Sequence, residues 1–168
     1  MRRLVTGGAL GVFLLSVVLV ACSGSGADST GDQPRRFQDM WEIDQIEKDF
    51  HGSMTSKDID LMMSLYAPNA TMTVGPGVTA SGLDEIRAFW LEKAAPFAPE
   101  NEWISDHPAY KMEITINGDR GTLHFECHYI EVKTGEVAST TTADFDVARI
   151  EGKWLITNMV GGTAVLEV

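Results

Sequence analysis

The sequence predicts an α+β domain in which a curved antiparallel sheet packs around three N-terminal helices. Two observations carry this. Between residues 38 and 90 large apolar residues recur mainly at intervals of three and four, whereas from Tyr110 onward they alternate with polar ones. Helical and strand-forming stretches are therefore segregated along the chain, with one short alternating segment ahead of the third helix, and that segregation marks an α+β domain.

Ahead of the domain, Arg2 and Arg3 precede an apolar run over 9–20 that ends in Leu19, Val20, Ala21 and Cys22. A basic end, a short apolar core and small residues before a cysteine make a secretory signal peptide. About a dozen apolar residues fall short of the roughly 20 that span a bilayer. The ending resembles the lipobox of bacterial lipoproteins, which implies cleavage before Cys22 and diacylation of its thiol. Residues 1–21 are then a leader, and the protein is exported and held on a membrane of the bacterial cell envelope through Cys22. Residues 22–37, rich in Gly, Ser and Asp, read as a flexible tether.

The domain covers 38–168. Met40, Trp41, Ile43, Ile46, Glu47 and Phe50 mark the inner face of a helix over 38–54. A second helix runs over 56–66 with Leu61, Met62 and Leu65 inward, and Pro68 closes it. Alternation over 70–74 gives a strand, broken by Gly75, Pro76 and Gly77. The third helix starts at Gly82; Asp84 and Glu85 favour its positive end, and Leu83, Ile86, Phe89 and Trp90 form the buried stripe. Four antiparallel strands follow over 110–116, 123–129, 137–150 and 153–160, with turn signals at Asn117-Gly118, Thr134-Gly135 and Glu151-Gly152. Trp41, Trp90, Trp103 and Trp154 read as core residues.

Without the leader the chain keeps eleven basic residues against 24 acidic, a net charge of about −13. Such a surface repels phosphate backbones, so nucleic acid is excluded as a partner. With Cys22 lipidated, Cys127 has no partner for an internal disulfide, and its neighbours make it a small buried hydrophobe. No cofactor is expected.

The residues Phe50, Asp58, Asp60, Tyr66, Pro68 and Asn69, then Gly82 through Trp90, and the close from Arg149 to Ile156 resemble the SnoaL-like group of the nuclear transport factor 2 superfamily. The resemblance covers about 41–160. It implies a cone made by the bent sheet, with the three helices closing one side and a pocket at the open end. Members include polyketide cyclases, isomerases, dehydratases and proteins that only bind ligands, so fold alone does not choose the chemistry. The resemblance also implies that Leu123, Phe125, Cys127 and Tyr129 face the pocket or core. His124, Glu126 and His128 then lie on the convex side, where no metal site is expected for want of a fixed fourth ligand.

Proton-transfer chemistry in such a pocket needs a carboxylate or imidazole as base and a donor for the developing oxyanion. The residues available are His107, Asp106, Asp144, Asp146, Tyr66, Tyr129, Asn158 and His51. His107 stands where the family often places a strand histidine, but Pro108 follows it and puts it on a bend or an edge loop. Asp144 depends on the hairpin at Glu151-Gly152. A two-residue turn sends it outward, whereas a three-residue loop with a glycine bulge pairs it with Asn158 on the face of Trp154. Tyr129 is the oxyanion donor candidate; Tyr66, Tyr129, Asn158, Trp154 and Trp90 are the candidate ligand-binding set. Tyr66 and His51 read as packing or rim residues. Asn69 and Val160 replace an aspartate and a histidine common in active relatives, which leaves the family's acid-base sets incomplete.

Three functions fit these readings. One is a membrane-anchored module that binds a small hydrophobic or carbonyl-containing molecule. Another is a lyase or isomerase with Asp144 or His107 as base. The last is an envelope interaction module whose pocket is filled by side chains. A homodimer is compatible with all three.

Overall fold

The computed structural model describes residues 32–105 and 110–163. The expected leader, Cys22, Asp106, His107 and Pro108 lie outside them. α1 (Asp32–Ser56) starts six residues before its expected position, with Pro34 in its first turn, where an amide hydrogen is not needed. Ile43, Ile46, Phe50 and Met54 are buried against the sheet. Met40 and Trp41, expected inside, are instead exposed. At that end Asp39 turns toward the sheet and meets Arg149, so the buried stripe is rotated away from Trp41.

Lys57, at φ 57°, turns the chain into α2 (Ile59–Ser64). The Asp58 carboxylate caps this helix by accepting from the Asp60 and Leu61 amides at 3.1 and 2.9 Å. It ends earlier than expected, because Tyr66 already belongs to β1 (Tyr66–Val74). Then come β2 (Val78–Ser81), α3 (Gly82–Glu92), a short 3-10 turn at Ala95–Phe97 and β3 (Trp103–Ser105). The chain closes with β4 (Tyr110–Asn117), β5 (Arg120–Glu131), β6 (Val137–Ile150) and β7 (Lys153–Thr163). The very short β2 and β3 carry no readable alternation and were not expected.

The strands form one curved sheet in the order β2-β1-β7-β6-β5-β3, with β4 also bound to β5. It is mixed rather than wholly antiparallel: β1 runs parallel to β7, Thr71 beside Asn158 and Val74 beside Gly161. The helices cover its concave face. Phe50 of α1 sits at the centre of that interface, its ring meeting Trp90, Phe125 and Phe145 edge-on with centroids 5.6, 5.9 and 5.2 Å away.

The β6–β7 hairpin resolves the register question. Glu151 and Gly152 form a two-residue turn with φ 50° and 83°, and Ile150 pairs with Lys153. The pairing then shifts at Thr157, so that Val147 faces Ile156 but Asp146 faces Asn158. This extra residue reverses the alternation of β7. Trp154 and Ile156 point inward before it, and Met159, not Asn158, points inward after it.

Candidate functional site

A cavity of about 360 Å³ opens where the C-terminal ends of β1, β7 and α3 meet the start of β6. Phe50, Phe89, Trp90, Trp103, Tyr129 and Met159 supply its apolar wall. Ser139 and Thr141 at the start of β6 add a row of hydroxyls, and exposed Lys93 at the end of α3 stands at the rim. Gly161 keeps the β7 side open: a Cβ there would stand 3.2 Å from the Met159 methyl carbon. Among the described residues the lining contains no carboxylate and no imidazole. Its size is at the lower end of small-molecule sites, and its make-up, mostly apolar with a few placed polar groups, is that of such sites.

Of the ligand-binding candidates, Trp90 and Tyr129 line this cavity and the other three do not. Tyr66 is buried one layer behind it, its hydroxyl donating to Met159 Sδ at 3.1 Å; burial pushes its pKa up. Trp154 lies elsewhere, under the Arg149 guanidinium at 4.8 Å from the ring centroid. Asn158 is turned to the outer face by the Thr157 bulge, where it accepts from Thr71 Oγ1 at 2.8 Å and donates to Asp146 at 3.1 Å.

The acid-base candidates fare similarly. Asp144 is on the outer face, its side chain 62% exposed and 2.7 Å from His124 Nδ1, because the hairpin turn has two residues rather than three. Asp146 shares that face. His124, Glu126 and His128 lie there too, as expected, with Glu126 bound to Lys111 at 3.1 Å. Tyr129 does reach the cavity, but its hydroxyl is turned into the core and donates to Met54 Sδ at 2.9 Å. Burial, reinforced by Cys127, holds its pKa above the usual phenol range.

Behind the hydroxyl row lies a polar seam that the sequence did not disclose. Glu47 and His51 are one turn apart on α1, both buried, and form an ion pair through Oε1 and Nδ1. Cys127 stands beside His51 and favours its charged form, and the Cys127 sulfur is 3.1 Å from Thr141 Oγ1. Burial works against a charged imidazole here, but Cys127 and Glu47 outweigh it and push the His51 pKa up to about 9. The seam thus runs from Glu47 through His51 and Cys127 to Thr141 on the cavity wall. A spacing of four between Glu47 and His51 on the helix's buried side was the available signal, masked because Glu47 falls among apolar neighbours.

Solved structures of the same architecture are numerous. An NTF2-like protein with a cystatin-like fold from Novosphingobium aromaticivorans superposes with a TM-score of 0.68 at 15% identity, covering 86% of this chain and 94% of that one. The hexachlorocyclohexane dehydrochlorinase LinA-type3 from Novosphingobium barchaimii gives 0.66 at 12% identity, over 81% and 96% of the two chains. An NTF2-like protein of unknown function from Pseudomonas putida gives 0.63 at 14%, over 75% and 87%. At these identities they establish the fold alone. No protein of curated function matches the sequence. The model of the SnoaL-like domain matches residues 35–160, from the first turn of α1 to near the end of β7, and the chain belongs to that family.

Proposed function

We propose that this protein is an exported, lipid-anchored SnoaL-like protein that binds a small hydrophobic molecule carrying a carbonyl or hydroxyl group. The observation that carries the binding reading is the cavity: it is open, walled by aromatic rings, edged by the Ser139 and Thr141 hydroxyls and, among described residues, without a carboxylate or imidazole. Apolar walls favour an apolar body, and the hydroxyl row favours an oxygen function at one end. The anchor reading is supported by the leader ending in Ala21 and Cys22. Trp90 and Trp103 line the space rather than fill it, which weighs against a pure interaction module.

Native mass spectrometry of the full chain purified from membranes tests the binding reading. The expected result is a retained small molecule that is lost or reduced in Thr141→Val and unchanged in Asp144→Asn, which alters only the outer face. Bare protein from several growth conditions would overturn tight binding.

A second reading, a lyase or isomerase acting by proton transfer, is favoured by the seam of Glu47, His51, Cys127 and Thr141, which joins a buried acid-base pair to the cavity wall. In that class His51, protonated below about pH 9, would supply a proton through Cys127 and Thr141, and His107 rather than Asp144 would be the base. A dehydrochlorinase on the same fold shows that this architecture accommodates elimination chemistry. Turnover that is abolished in His51→Gln but persists in Asp144→Asn would place the protein in this class.

A further inference from the structure

We propose that the N-terminal part of α1 lies on a phospholipid surface, with Phe37, Met40 and Trp41 seated at the boundary between headgroups and acyl chains. The three side chains are 69%, 37% and 62% exposed. Their spacing of three and four puts them on one side of the helix, where they form a single apolar patch. Elsewhere on the described surface the large exposed apolar residues are aliphatic; this patch alone presents aromatic rings. A cluster of that kind marks an interaction site, and tryptophan suits a boundary that is apolar on one side and wet on the other.

The choice of a lipid surface over a protein partner comes from where the patch sits along the chain, and it rests on the anchor reading above. Only ten residue steps separate Cys22 from Asp32, at most about 36 Å of chain. Phe37 is five residues further along the helix, about 8 Å by its rise. A lipid on Cys22 therefore holds this patch beside the bilayer at all times. Arg36 stands in the turn before it, a cation in a chain dominated by acids and within reach of headgroup phosphates, while Arg35 turns to the other side of the helix and pairs with Asp119 at 3.2 Å. A patch this small adds little affinity to an acyl anchor and instead fixes orientation. Trp41 and Phe50 are nine residues apart on α1, about 14 Å along its axis, so the cavity beside Phe50 is displaced along the helix from the patch.

The test uses the full chain produced with its leader, purified from membranes and reconstituted in phosphatidylglycerol-containing vesicles with plain or brominated acyl chains. Bromine quenches tryptophan within contact range; Trp90 and Trp154 are each only 5% exposed, and Trp103 is half-buried in the cavity wall, so the Trp41→Phe arm separates its signal from that of Trp41. The expected result is a loss of emission in brominated vesicles that disappears in Trp41→Phe. Equal emission from the two vesicle types overturns the proposal, as does quenching that persists unchanged in Trp41→Phe. Shielding of Trp41 from iodide in lipid-free solution also overturns it, since a second copy would then be the occupant. The mass of the N-terminal peptide, read in parallel, reports lipid on Cys22 independently. An unlipidated chain whose Trp41 is quenched by added vesicles fails the anchor reading and upholds the patch, and a lipidated chain without quenching does the reverse.

Discussion

Lys57 Nζ donates to the carbonyl oxygen of Pro96 across 3.0 Å, tying the end of α1 to the wall of the cavity. The same ammonium donates to the carbonyls of Ala98 and Asn101, each at 2.8 Å. Three charge-assisted bonds from one group hold the segment that supplies Ala95 and Pro96 to the lining. Lys57→Met should lower unfolding free energy by about 2–3 kcal/mol in urea titrations and expose the loop to proteolysis. Lys57→Gly relieves the positive φ but also loses the bonds, so it too should fall below the wild type. A Lys57→Met variant as stable as the parent would show that the clamp contributes nothing.

The buried imidazolium should make stability depend on pH. A pKa raised from 6.5 to about 9 in the folded state means that the contribution of His51 is complete below about pH 6.5 and is lost as pH rises through 9. The loss is on the order of 3 kcal/mol. Urea midpoints measured between pH 6 and 10 should fall over that window in the wild type and flatten in His51→Gln. A flat wild-type profile would mean that His51 is neutral when folded.

Breaking the Glu47–His51 pair from one side should cost more than removing both partners. Glu47→Leu leaves a buried histidine without its counter-charge and should cost about 3–5 kcal/mol. Adding His51→Leu should recover part of that, because two apolar side chains fit among Phe50 and Phe125. Strictly additive losses in the double-mutant cycle would rule out an energetic pair.

Two glycines should respond in opposite directions to alanine. A Cβ on Gly121 would run into the carbonyl oxygen of Thr115 across the β4–β5 hairpin, and backbone there cannot yield cheaply. Gly121→Ala should cost about 1–3 kcal/mol. Gly52, inside α1, has nothing within 4 Å of a Cβ, so Gly52→Ala should gain about 0.5–1 kcal/mol. Thermal melts of the two variants should move apart around the parent.

Periodicity made the long elements legible because their burial is one-sided. The bounds of β6 are those expected, and Leu123, Phe125, Cys127 and Tyr129 face inward as read. What alternation cannot register is a single-residue slip. The Thr157 bulge moved Asn158 out and Met159 in, and the two-residue turn sent Asp144 to the outer face. Helical phase was misjudged at Trp41 for a related reason: size and apolarity argued for burial, while the inward position belongs to Asp39, which Arg149 holds. Of the five ligand-binding residues read from the sequence, Trp90 and Tyr129 line the cavity. Thr141 and Glu47 were missed because their partners are distant in sequence or in the helical shadow of apolar neighbours.

The parallel contact between β1 and β7 also sets an order in time. It joins residues such as Thr71 and Asn158, 87 positions apart along the chain, and no hairpin can form it locally. A chain emerging N-terminus first keeps β1 without its inner neighbour until β7 has been delivered. The cavity takes Val74 and Gly75 from one of these strands and Met159, Gly161 and Gly162 from the other, so the binding space is the last part of the molecule to exist. Chains cut short before β7 would expose β1's bonding edge and carry no ligand, and such intermediates are the ones that aggregate or need a chaperone.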